Sequence, residues 1–364
     1  MTKPPRRDPP AIEPPARDRP GPGTGPGGVP RAIAISPILS GRYRAQDLER
    51  IRAAAPGARL VSLSTEGLAD GPVDDVEVLL RGWLKADAFE RLLDRAPGLS
   101  WVHSATAGVE MTLSPSMRER PFVVTNARGV FSRPIAEYVV LMMLAISRRL
   151  PELLELQAER TWQPLEGREL RDATVGIVGL GSIGRAVASL ASAFGCRVIA
   201  TRRNPGLGAQ PVGDGEEAAE APPRIDRLLG PEGLPELLAA ADFVVLAAPL
   251  TPETEDLIDA EALAAMRPEA WLINIARGRL VDERALLRAL REGRIGGAVL
   301  DTFRQEPQLA DSPFYDLPNV IVTPQTSWSS GRVLNRSVEL FCDNLRRFAS
   351  GRPLRNVVDP AAGY

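Results

Sequence analysis

The sequence predicts an α/β protein built from two doubly wound parallel-sheet domains, and three observations carry that prediction. Eleven short β-rich runs fall into two sets, stretches of helical period separate the runs, and 364 residues is the length of about two domains at roughly 150 residues each.

Residues 1–30 are a Pro/Gly/Arg mixture with no hydrophobic period and read as a disordered tail, because such a composition offers too little burial to offset ordering. The first set of strands follows: AIAIS from Ala32, RLVSLS from Arg59, VEVLL from Val76, LSWVHS from Leu99 and FVVTN from Phe122. Between them, AQDLERIRAAAPG and ADAFERLLDRAPG are amphipathic and end in Pro-Gly, which stops a helix. Such βαβ alternation predicts a mostly parallel sheet with helices on both faces. Next comes IAEYVVLMMLAISRRL from Ile135, a helix with Ser132 as N-cap and Pro134 in its first turn. It is apolar on nearly every face and is therefore expected to be buried between two domains or against a second subunit. The second set is TVGIVG, RVIAT, DFVVLAA, WLINIA, GGAVLDT and VIVTP, with EGLPELLAAA and DERALLRALREGR as helices among them. Asn204 to Pro223 reads as a flexible surface loop, and the final helix VLNRSVELFCDNLRRFAS is placed to return to the first domain.

Composition excludes several functions. With 44% hydrophobic and 25% charged residues and a net charge of -2, the chain lacks the basic field that holds nucleic acid. Cys196 and Cys342 are its two cysteines and His103 its one histidine, too few for a disulfide framework or a Cys/His metal site, so no metal is expected. Lys3 and Lys85 are the lysines, which leaves one internal candidate for Schiff-base chemistry. No run approaches the roughly 20 apolar residues that span a bilayer and the N-terminus lacks the apolar region of a signal peptide, so the expected compartment is the cytoplasm.

The segment TVGIVGLGSIGRAVA places Gly179, Gly181 and Gly184 in G-x-G-x-x-G spacing, directly after a strand and before a helix. In that context Gly179 permits a tight turn, Gly181 lets the backbone approach a pyrophosphate, and Gly184 lets the helix sit close on the strand. The first helical amides, those of Ser182 and Ile183 among them, then face the anion. The next strand ends Thr201-Arg202-Arg203, where a site for NAD would carry an acid for the ribose 2′-hydroxyl. Two guanidiniums there suit a 2′-phosphate, so NADP is preferred over NAD.

Three later strand ends carry residues that make chemical sense together: Arg277 before Gly278, Asp301 with Glu306, and Gln325 after Thr323-Pro324. With the loop SATAGVE from Ser104 to Glu110, the helix PIAEYVVLMML, the glycine motif, PLTPET from Pro249, N-x-x-R-G and L-D-x-F-x-x-E-P, the chain resembles the D-isomer-specific 2-hydroxyacid dehydrogenase family over about residues 31–350. The resemblance implies a flavodoxin-like substrate domain from residues 31–130 and 328–364, a Rossmann NAD(P)-binding domain from 131–327, a cleft between them, and a homodimer. It also implies roles. Arg277 holds the carboxylate and carbonyl of a small 2-keto acid, and the backbone of Ala107, Gly108 and Val109 binds the same carboxylate. Asp301, with the backbone near Ala276, fixes the nicotinamide carboxamide, while Pro249 and Thr254 line the cofactor.

In the family Glu306 pairs with a histidine that protonates the substrate carbonyl, and here that position holds Gln325. Glutamine donates a hydrogen bond but delivers no proton near neutral pH. The sequence leaves three substitutes open: water, a protonated Glu306 in an apolar cleft, or His103 reaching the cleft from its strand; against these, Glu306 reads as a relic that only hydrogen-bonds Gln325, and His103 as a partly buried strand histidine bonded to backbone. Trp328 either narrows the pocket or simply packs. The expected activity is NADPH-linked reduction of a glyoxylate- or hydroxypyruvate-like acid, slow or altered, and the alternative is a non-catalytic NADP(H)-binding sensor or scaffold.

Overall fold

The computed structural model describes residues 27–38, 41, 43–109, 112–113, 122–207 and 223–359. Most of the expected tail, Glu110, and residues 208–222 of the expected surface loop lie outside the described residues. The last residues of that tail are held in place, since the Gly28 N–H donates to the Ala349 carbonyl at 2.8 Å and Pro30 is buried.

Two parallel sheets form. The first contains β1 (Ala32–Ile35), β2 (Arg59–Ser62), β3 (Val76–Arg81), β4 (Trp101–Ser104) and β5 (Val123–Thr125) in the order β2-β1-β3-β4-β5, all paired parallel. Helices α1 (Ala45–Ala54) and α2 (Ala86–Arg95) lie between its strands in the chain. The second contains β6 (Thr174–Val178), β7 (Arg197–Thr201), β8 (Arg227–Leu229), β9 (Phe243–Leu246), β10 (Trp271–Asn274), β11 (Gly297–Leu300) and β12 (Val320–Val322) in the order β12-β11-β10-β9-β6-β7-β8. It is also parallel throughout. The remaining helices are α3 (Ser132–Ser147), α4 (Leu150–Ala158), α5 (Ser182–Ala193), α6 (Leu234–Ala240), α7 (Ala260–Ala265), α8 (Glu283–Arg291) and α9 (Val333–Ala349).

Strands such as FVVL and GAVL are buried at every position, as parallel strands covered on both faces must be. The eleven expected strands are present. A twelfth, β8, is not foreseen, because RLL is too short to show a period and forms as an edge partner of β7.

One expectation about α3 changes. Ser132 is the first residue of the helix rather than its cap; Phe131 takes the cap position with no side-chain bond to the helix amides. Within the single chain the helix is covered on one side. Ile135, Ala136, Val139 and Met143 pack on Val187 and Ala191 of α5 and on β6, whereas Leu141 stands exposed, as do Leu150, Leu153 and Leu154 of α4 and Trp162 beyond it. The final helix does return to the first sheet. Val338, Phe341, Leu345 and Phe348 pack against Ile33, Val78 and Trp101, and the two phenyl rings lie 5.3 and 5.5 Å from the indole. Among the described residues, no helix is long and apolar enough to cross a membrane.

Candidate active site

The order of the second sheet reverses beside β6, between β6 and β9, and open parallel sheets bind ligands at such a switch point, outside the strands' carboxyl ends. The glycine motif lies there. Gly179 has φ +99°, and a Cβ on it would stand 2.7 Å from the Ala248 backbone, so the turn is pressed against the segment leading into Pro249. A Cβ on Gly184 would stand 2.2 Å from the Gly179 carbonyl oxygen, whereas around Gly181 nothing lies within 4 Å. Thr201 anchors the turn through its carbonyl, which accepts from the N–H groups of Gly179 and Leu180 at 3.2 and 3.1 Å.

Gly181 caps α5, and the Arg185 N–H is the first to bond back to it. The amides of Ser182, Ile183 and Gly184 therefore lie in the first turn, where helical amides have no partner within the helix. The open side of Gly181 and these amides form a glycine cradle with room for a pyrophosphate, and Arg202 and Arg203 follow Thr201 at the end of β7. Beyond Ala248, the Thr254 hydroxyl donates to the Pro249 carbonyl at 2.7 Å and accepts from the Thr251 N–H at 2.8 Å, which folds the PLTPET segment into a closed loop.

The ends of β10, β11 and β12 supply the chemical groups in neighbouring rows. The Asp301 N–H donates to the Asn274 carbonyl at 3.1 Å and the Thr323 N–H to the Leu300 carbonyl at 3.0 Å, so Arg277, Asp301 and Gln325 all follow adjacent strand ends. The Arg277 backbone is held by Asn274, whose amide oxygen accepts from the Ala276 N–H at 3.1 Å and whose amide nitrogen donates to the Arg277 carbonyl at 2.9 Å. One guanidinium nitrogen of Arg277 donates to the Ala276 carbonyl at 2.7 Å. Gly278 is pressed so closely on the next loop that a Cβ would meet the Phe303 carbonyl carbon at 1.9 Å.

Asp301 is 1% exposed and spends its carboxylate on the turn that carries Gln325. It accepts from the Thr323 hydroxyl at 2.6 Å and from the N–H groups of Thr326 and Ser327 at 2.8 and 3.0 Å. A buried carboxylate needs such donors. Three of its roughly four acceptor sites are thereby taken. Gln325 itself is exposed in the left-handed region at φ +47°.

In the first sheet, the chain leaving β4 makes a tight loop. The Thr106 hydroxyl donates to the Gly108 carbonyl at 2.7 Å and the Asn126 amide to the Ala107 carbonyl at 2.8 Å. Carbonyls are thus engaged, while among the described residues no group accepts from the N–H of Ala107, Gly108 or Val109. Successive backbone N–H groups of this kind are a common means of receiving an anion.

Two substitutes for the missing acid do not survive. His103 is fully buried, packed beside Trp101 and Phe341, with Nδ1 bonded to the Thr125 hydroxyl at 2.7 Å. Burial pushes its imidazole down to about 3, so it is a neutral core residue out of reach of the cleft. Glu306 is exposed and accepts from the Phe303 N–H at 3.0 Å, so it does not stand in an apolar cleft. Trp328 is half-buried, edge-on to Phe131 at 6.3 Å, and packs. Asn274, Asn126, Tyr138 and Thr323 are contributors to which the sequence motifs give no role. A phenol inside the apolar run of α3 is the signal that points to Tyr138.

The family profile described as "D-isomer specific 2-hydroxyacid dehydrogenase, NAD binding domain" matches residues 140–327. The chain belongs to that family. It is 33% identical over 297 residues to a glyoxylate reductase of Korarchaeum cryptofilum (strain OPF8), an alignment covering 79% of this chain and 82% of that protein. It is also 33% identical to a D-3-phosphoglycerate dehydrogenase of Synechocystis, over 80% of this chain but 51% of that longer protein. A family structure from Xanthobacter autotrophicus Py2 in complex with NADPH and MES superposes with a TM-score of 0.77 at 30% identity, covering 94% of this chain and all of that one. An NADPH-dependent glyoxylate/hydroxypyruvate reductase of Sinorhizobium meliloti, with NADP and sulfate, gives 0.74 at 27% identity over 92% and 100%. The protein is therefore an oxidoreductase of the NAD(P)-dependent 2-hydroxyacid dehydrogenase type.

Proposed function

We propose that this family member reduces a small 2-keto acid of the glyoxylate or hydroxypyruvate kind, prefers NADPH to NADH, and works in the cytoplasm as a homodimer. The observation that carries this reading is the gathering of the glycine cradle, Arg202 and Arg203, Arg277, Asp301 and Gln325 along one carboxyl edge of one sheet. When bound, the nicotinamide supplies the hydride. Arg277 clamps the substrate carboxylate with its planar fork, and the Ala107, Gly108 and Val109 amides hold the same carboxylate from the other domain. Asp301, with the Ala276 backbone, orients the carboxamide, and Pro249 and Thr254 line the cofactor. Gln325 donates a hydrogen bond to the carbonyl oxygen as negative charge develops there. Its amide has no acidic proton, so the proton that completes the alcohol comes from water, to which Gln325 is open. Glu306 has no histidine to tune and keeps its bond to the Phe303 N–H.

Support for the NADPH preference is the absence of an acid at the end of β7 and the cofactors named for the two superposed structures. Support for the dimer is the exposed apolar row Leu141, Leu150, Leu153, Leu154 and Trp162, which suits a self-complementary interface.

The test is NADPH oxidation with glyoxylate, hydroxypyruvate, pyruvate and phenylpyruvate, with light scattering for the dimer. Turnover on a small member of the panel supports the reading. Tight NADPH binding with no turnover on any member replaces it with the non-catalytic sensor or scaffold, which the Gln325 substitution favours. A monomer at micromolar concentration rejects the dimer.

A further inference from the structure

We propose that Tyr138 is a positioning residue for the turn that carries Gln325, acting through the Thr323 hydroxyl; this rests on the reading that places Gln325 at the reacting carbonyl. The Tyr138 hydroxyl lies 2.6 Å from Thr323 Oγ1, and that oxygen lies 2.6 Å from Asp301 Oδ1. A carboxylate only accepts, so the single Thr323 proton points to Asp301, and Tyr138 must therefore donate to Thr323. The chain has one direction, Tyr138 to Thr323 to Asp301, and bonds in such a chain polarise and strengthen one another. Asp301 in turn holds the Thr326 and Ser327 amides on the far side of Gln325.

A second contact comes from the same helix. Phe131, the cap residue of α3, meets Trp328 edge-on at 6.3 Å and 88°. Thus α3 and its cap hold the turn at both ends, at Thr323 and at Trp328. The turn needs holding, because Gln325 sits in the left-handed region at φ +47°, a conformation that persists in a non-glycine residue when its surroundings over-determine it. The same helix packs through Val139 and Met143 on Val187 and Ala191 of α5, the helix that begins at the glycine cradle. Tyr138 therefore registers Gln325 against the dinucleotide site, fixing the polar group on the carbonyl oxygen relative to the cofactor.

The test compares Tyr138→Phe, Thr323→Val and the double variant in the full chain. Three readouts apply: kcat and KM for the keto acid, NADPH affinity by fluorescence, and amide hydrogen exchange at Thr326 and Ser327. Tyr138→Phe is expected to lower kcat about 5–20-fold with NADPH affinity within about twofold, and to speed exchange at both amides about tenfold. Because Tyr138 acts through Thr323, the double variant should be no worse than Thr323→Val alone. Independent, multiplying losses, or unchanged exchange in Tyr138→Phe, overturn the inference. If the unmodified protein turns over no keto acid, the proposed function fails by itself. The exchange readout then decides the positioning role: acceleration upholds it and unchanged protection rejects it.

Discussion

The Asn274 side chain closes on the arginine loop from both sides, accepting from the Ala276 N–H and donating to the Arg277 carbonyl at 2.9 Å. Asn274 is 1% exposed, so its truncation strands two backbone groups, at a cost of about 1–3 kcal/mol each where no water replaces it. Asn274→Ala is expected to raise KM for the keto acid and lower kcat, because the arginine fork loses its fixed base, and also to weaken NADPH in a fluorescence titration, because the Ala276 backbone beside the carboxamide loses its acceptor. Arg277→Ala should abolish turnover and leave NADPH affinity nearly unchanged. Equal loss of both functions would remove Arg277 from the substrate side of the site.

Two of the motif glycines are expected to fail in opposite ways. Gly184→Ala places a Cβ 2.2 Å from the Gly179 carbonyl oxygen, an overpacking that costs about 1–3 kcal/mol or more and should appear as a lowered Tm. Gly181→Ala meets nothing within 4 Å, so its Tm should stay at the wild-type value while NADPH binding weakens, since the new methyl occupies the space a pyrophosphate would enter. Thermal melts with and without NADPH separate the two effects.

Replacing Arg202 and Arg203 by serine is expected to weaken NADPH far more than NADH, because removing a guanidinium costs a phosphate its charge-assisted bonds. The measurement is the ratio of the two dissociation constants, and equal weakening would count against the 2′-phosphate assignment.

His103 gives the acid side of the stability curve a signature. Burial holds its folded-state value down at about 3, below the roughly 6.5 of an exposed imidazole. The unfolded chain therefore binds the proton first as pH falls. Stability from this group is complete above about pH 6.5 and drops by up to ~1.4 kcal/mol per pH unit from there toward pH 3. His103→Asn, which does not titrate, should flatten the acid limb by up to one proton in urea melts taken between about pH 7 and 4, whatever its effect on absolute stability.

Much of this architecture is legible in the residues. Period-two and helical runs mark eleven strands and the main helices, and 338, 341, 345 and 348 in the last helix already share one face. Gly179, Gly181 and Gly184 show their separate purposes through spacing alone. What stays hidden is set by neighbours distant in sequence. The strand Arg227–Leu229 exists because β7 offers an edge. Ser132 looks like a cap, yet the chain enters α3 at Phe131, whose ring is committed to Trp328. His103 is sealed in the core, deeper than the partly buried strand position its context suggests, and Glu306 stands exposed rather than in an apolar cleft. Their sequence context does not disclose burial, because the packing of α9 on β4 covers the first, and the loop after β11 exposes the second. The commitment of Asp301 to the Gln325 turn likewise depends on two strands lying side by side.

The most direct test of the central claim is Gln325→His, assayed beside the unmodified protein for NADPH oxidation with glyoxylate and hydroxypyruvate. Slow turnover by the unmodified chain and a rise of about 10²–10⁴-fold in the variant are expected, the usual worth of a positioned general acid, with NADPH affinity unchanged. A variant no faster than the parent, with the cofactor bound equally in both, would contradict the assignment of position 325 to the carbonyl oxygen.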